Sequence, residues 1–151
     1  MSDTSGNTTP TSYWVVSGLL AIWSLMGVSF YILFAGTSAD EYAAYVADGT
    51  MTQAYADYAA NTPAWATAVF AIAVFSGLAG AICLLLRKKW AVQLFTISLV
   101  FVLISMFKGF ILDGAANILS PFEIGREFVV VALAAFAVWF SRKKRAAGIL
   151  T

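Results

Sequence analysis

The stretch at residues 64–90 most constrains what this chain can fold into. It reads AWATAVFAIAVFSGLAGAICLLL, then Arg87, Lys88 and Lys89, then Trp90. The apolar part carries no charge, and a helix needs about 20 such residues to cross a bilayer. A basic cluster closes it and another apolar run begins at once, so the two runs must form antiparallel neighbours. The same run carries small residues at helical spacing: Ala73, Ser76, Gly77, Gly80 and Ala81. The pairs Ala73/Gly77, Ser76/Gly80 and Gly77/Ala81 overlap on one face, where small side chains let another helix approach closely. A helix of the same chain and a helix of a second copy are both candidates for that face.

Composition supports lipid as the solvent. The chain is 61% hydrophobic and 11% charged, whereas a soluble domain carries about 25% charged residues. Histidine is absent, which removes the commonest metal ligand and His-based acid–base and nucleophilic catalysis. The single cysteine, Cys83, forms no internal disulfide and reads as a small packing residue. No phosphate-cradling glycine loop and no nucleic-acid surface are present, so no cofactor, no metal and no nucleic-acid partner are expected.

Residues 1–12 form a polar tail without Lys or Arg, unlike the basic start of a signal peptide. The first apolar run, 13–35, is therefore expected to be a retained helix, with Ser17, Ala21, Ser24 and Val28 on one face. Residues 36–63 are acidic and long for a turn. Ser38 with Glu41 fits a capping box, and two short helices are expected at roughly 39–47 and 52–60. There Tyr42, Tyr45, Tyr55 and Tyr58 would rest at the membrane surface. Thr62 as N-cap and Pro63 at the first helical position open the second span. The third span, 90–112, carries Ser98, Ser105 and, near its end, Lys108. Residues 113–120 are a loop. Ser120, Pro121 and Glu123 then supply an N-cap, a proline at N1 and a carboxylate at N3 for the fourth span.

The expected fold is all-α: a four-transmembrane-helix bundle with a short extracytoplasmic helical segment between helices 1 and 2. It comprises a cytoplasmic tail at 1–12, one membrane domain at 13–141, and a basic cytoplasmic tail at 142–151. The spans are placed at about 13–35, 63–86, 90–112 and 121–141, with the outer segment at 36–62. Arg87, Lys88 and Lys89 and then Arg142, Lys143, Lys144 and Arg145 set the orientation. Basic residues favour the cytoplasmic side, so both termini are expected in the cytoplasm of a bacterial inner membrane. Trp14, Trp65, Trp90 and Trp139 lie near span ends, as an interfacial aromatic belt requires.

One polar constellation invites a functional argument: Lys108, Asp113, Glu123, Arg126 and Glu127. The apolar part of the fourth helix, 128–140, reaches only about 20 Å of a roughly 30 Å hydrocarbon core. The helix must therefore recruit residues 122–127. Lys108 falls at a comparable depth and is expected to pair with Glu127 or Glu123, since a membrane charge needs a partner or water. A plainer account has Lys108 snorkelling and the two carboxylates serving the helix dipole.

At YWVVSGLLAIWSLMGV and TPAWATAVFAIAVFSGLAGAICLLLRKKWA the chain resembles small four-helix bacterial membrane proteins often labelled "sugar transporter". The resemblance covers helices 1 to 3 best and carries no functional residue onto this chain. The first helix lacks the membrane Glu of small multidrug exporters. The leading expectation is a non-enzymatic structural or accessory subunit acting through helix packing, in a homo-oligomer or larger membrane complex. The alternative is a small-solute or ion transporter working as an oligomer, with its polar site and small-molecule ligand at the outer end of helices 3 and 4.

Overall fold

A computed structural model describes residues 9–151. Most of the expected tail at 1–12 lies outside the described residues. Six α-helices follow in order: α1 (Thr11–Phe34), α2 (Ala39–Ala47), α3 (Gln53–Ala60), α4 (Ala64–Leu85), α5 (Trp90–Phe107) and α6 (Pro121–Ala146). A π-helical turn, Lys108–Leu112, prolongs α5, and a 3₁₀ turn, Ala115–Asn117, precedes α6. No strand occurs among the described residues. Among the described residues, four helices are long and apolar enough to cross a membrane: α1, α4, α5 with its π turn, and α6.

The helix starts follow their local chemistry, with one correction. Ser38 accepts from the Glu41 amide while the Glu41 carboxylate accepts from Ser38, and Ser120 and Glu123 repeat the arrangement at α6. These reciprocal bonds satisfy amides that a helix start leaves unpaired. At α4, however, Pro63 is the N-cap and no side chain caps the helix. The Thr62 hydroxyl turns back and donates to the Tyr58 carbonyl at 3.1 Å, closing α3 instead of opening α4.

Packing runs in sequence, α1 on α4, α4 on α5 and α5 on α6. The small-residue face of α4 explains the centre. Ala73, Gly77, Gly80 and Ala81 are buried, and Ser76 is half-buried at the edge. A Cβ on Gly77 would stand 3.1 Å from the Ser98 hydroxyl of α5. That hydroxyl donates to the Ala73 carbonyl at 2.7 Å. On the α1 side, Gly27 lies against Val74, and Ser24 approaches Gly77. The stripe is thus used within the chain. In a lipid surround, where helix association brings no hydrophobic gain, close van der Waals approach and a bond such as Ser98–Ala73 would hold the pair.

The basic end is closed by a feature that the sequence pattern did not show. α6 runs past its expected end at about 141, so Arg142, Lys143, Lys144 and Arg145 are helical. The last three complement the negative end of the helix dipole. Gly148, at φ +72°, ends the helix: its amide bonds the Arg145 carbonyl and the Ile149 amide bonds Lys144. The expected basic tail at 142–151 is therefore part helix and part clasp. The chain folds back, Leu150 is buried, and Thr151 exchanges backbone bonds with Arg87 and Lys89. Leu150 joins Tyr13, Leu84, Ala91 and Phe140 in one core cluster. Tyr13 donates its hydroxyl to the Leu84 carbonyl and stacks on Phe140 at 6.0 Å. α1 and α6 meet through that stack.

Candidate functional site

At the end opposite the basic cluster a cavity of about 410 Å³ opens among the six helices. Its construction starts at the π turn. The Asp113 amide bonds the Lys108 carbonyl at 3.0 Å, five residues back. On an α-helix, residues five apart point about 140° away from each other. The wider π turn brings them to one side, and the Lys108 ammonium meets the Asp113 carboxylate at 2.5 Å. Lys108 is only 7% exposed, so its charge is held by that carboxylate and not by solvent.

α3 roofs the pair. The Lys108 ammonium lies 5.2 Å from the centre of the Tyr58 ring, a cation–π contact. The Tyr58 hydroxyl comes so near the backbone that a Cβ on Gly109 would stand 3.3 Å from it. Glycine at 109 therefore lets α3 settle onto the π turn. Burial, and behind it the charge and acceptor oxygens of Asp113, pushes the Tyr58 hydroxyl up to about 12. Tyr42, which lines the same cavity from α2, is raised too, first by burial. Tyr55 and Tyr58 stand with ring centres 6.4 Å apart along the roof.

The other members of the expected constellation divide. Arg126 and Glu127 line the cavity and pair with each other at 3.2 Å, Arg126 exposed and Glu127 half-buried. Glu123 does not reach it, because its carboxylate is spent in the Ser120 capping box. The expected pairing of Lys108 with Glu127 or Glu123 is thus replaced by pairing with Asp113. Lys108 does not snorkel. Tyr58, Tyr55 and Ser105 add to the polar lining. Tyr58 was legible only as an aromatic of a surface helix, since nothing in its spacing tied it to Lys108.

Chemically the site is amphipathic and balanced. Two cations are each matched by a carboxylate, and phenol hydroxyls and aromatic faces fill the space between them. Such a lining suits a small polar molecule with an apolar face, which could exchange with either ion pair. No protein-family model matches the chain, and no curated protein or solved structure is significantly similar to it.

Proposed function

We propose that the chain is a four-span protein of a bacterial inner membrane and a non-enzymatic, solute-binding accessory subunit. Both termini lie in the cytoplasm and α2 and α3 face outward. The orientation follows from the charges: Arg87, Lys88, Lys89 and the 142–145 cluster gather at one end, and Asp40, Glu41, Asp48 and Asp57 at the other. A reporter fused at Gly49 should be active only outside the cytoplasm, and cytoplasmic activity there would reverse the topology.

The observation that carries the binding role is the cavity roofed by Tyr58 over the Lys108–Asp113 pair. It opens at one end, while the middle of α4 and α5 is packed through Ser98 and Ala73. A screen of small solutes by thermal shift tests the role. At least one class should raise the melting temperature of the wild type and not of Ser105→Phe, which fills the cavity from α5. If every active solute stabilises both equally, the cavity is not the site.

Transport by an oligomer is the second reading. The irregular backbone at Lys108–Leu112 favours it, since broken helices at membrane depth commonly line solute pathways. Its partners are the bilayer and further copies of the chain or a larger complex. The likeness to the small bacterial proteins labelled "sugar transporter" is compatible with both readings.

A further inference from the structure

The basic end carries a second concave surface, separate from the solute cavity. It is a crevice of about 400 Å³ between α5 and α6, lined by Leu99, Ala135, Val138, Trp139, Arg142 and Lys143. The spacing of Ala135, Val138, Trp139 and Arg142 places them on one stripe of α6. That stripe changes from apolar to cationic along its length, and Leu99 of α5 faces its apolar part. Trp139 is 54% exposed, and the Lys143 ammonium lies 5.0 Å from its ring. Among the described residues, both ion pairs are at the other end of the bundle. Arg142 and Lys143 are exposed and have no carboxylate partner there.

We infer that this crevice seats one anionic phospholipid. Arg142 and Lys143 hold the headgroup phosphate, Trp139 sits at the level of the glycerol, and one acyl chain lies along Leu99, Ala135 and Val138. Three observations select that occupant. The cations are unpaired, so a net negative headgroup is preferred to a zwitterionic one. The apolar floor requires a hydrocarbon, which a free phosphate would leave uncovered. The stripe runs in the direction a lipid presents at a cytoplasmic interface, with charge outside and apolar surface inside. The inference rests on the four-span membrane reading and is independent of solute binding.

The test uses the full chain in mixed micelles, titrated with phosphatidylglycerol carrying brominated acyl chains. Quenching of Trp139 is read as the difference between the wild type and Trp139→Phe. Saturable quenching is expected. It should weaken about 25-fold in Arg142→Gln/Lys143→Gln, given about fivefold per cation near the surface. It should be unchanged in Lys88→Gln/Lys89→Gln, which removes the same charge at the same end away from the crevice. Inorganic phosphate should not compete. Equal quenching by brominated phosphatidylcholine, equal weakening in both double variants, or competition by phosphate alone would each overturn the lipid site. No quenching by either lipid would overturn the membrane reading with it.

Discussion

Gly80 stands against the ring of Phe95: a Cβ added to it would lie 3.1 Å from Cδ1 and 3.2 Å from Cε1 and Cγ. Phe95 is 3% exposed, so its ring has little room to retreat. This contact sets the distance between α4 and α5. Gly80→Val should destabilise the chain by about 2 kcal/mol, the ordinary cost of overpacking a core. Gly80→Val/Phe95→Leu should recover at least half of that loss. The melting temperatures of the two variants in one detergent decide it. Equal losses would mean that Phe95 is not what fixes the spacing.

The Lys108–Asp113 pair predicts a coupled response. Asp113→Asn leaves a nearly buried ammonium facing a neutral amide. The loss should be about 2 kcal/mol, below the 3–5 kcal/mol of a sealed pair because the cavity admits water. Lys108→Met/Asp113→Asn should be more stable than Asp113→Asn alone, since the unpaired charge is gone. Glu127→Gln combined with Lys108→Met should show simple additivity, because Glu127 pairs with Arg126. Coupling of Lys108 to Glu127 in place of Asp113 would contradict the geometry.

The membrane-length helices and their starts were legible because each rests on local signals. Apolar run length, the Ser38/Glu41 and Ser120/Glu123 boxes, and the Gly77/Gly80 face are written within a few residues of one another. The site was less legible because its decisive pairing breaks helical periodicity. Lys108 and Asp113 are five residues apart, a spacing that α-helical reasoning assigns to different faces, and only the π turn reconciles them. Lys108, Asp113, Arg126 and Glu127 do fall together at one end of helices 3 and 4, whereas Glu123 was grouped with them although the capping box claims its carboxylate. Thr62 shows the same competition in reverse, its hydroxyl bonding backward to Tyr58 although Pro63 follows it. The basic clasp was invisible because its key residue, Leu150, finds its partners through tertiary packing alone.

Arg87 is the non-glycine residue with positive φ among those described, at +58°. It ends α4 in the left-handed conformation, with its amide bonded to the Leu84 carbonyl and the Lys88 amide to Cys83. A side chain there costs about 1 kcal/mol relative to glycine. The Arg87 side chain offsets this by donating from Nε to the Ile149 carbonyl at 3.0 Å. Arg87→Ala keeps the strain and loses that bond, whereas Arg87→Gly loses the bond and relieves the strain. Arg87→Gly should therefore be more stable than Arg87→Ala by about 1 kcal/mol. Both should speed hydrogen exchange at the Thr151 amide, which bonds the Arg87 carbonyl. Equal stability of the two variants would show that the turn is not strained.

Tyr58 gives the site a pH signature. Its hydroxyl is pushed up from the ordinary 10.0 to about 12, chiefly by burial and next by the charge of Asp113. A raised pKa means that folding favours the protonated phenol. Its contribution is complete below the unfolded value and is lost as pH rises through the folded one. Between about 10 and 12 the roof over Lys108 should therefore loosen before the bundle does. Tyrosinate absorbance, taken as wild type minus Tyr58→Phe, should show a midpoint near 12. Asp113→Asn should move that midpoint down toward 10 without reaching it, because the charge of Asp113 is removed while the burial remains. In the same pH window, proteolysis within 53–60 should accelerate in the wild type and be already fast at neutral pH in Tyr58→Ala, which lacks the ring that rests on Lys108. A wild-type midpoint at the ordinary value would mean that α3 does not cover the pair in solution.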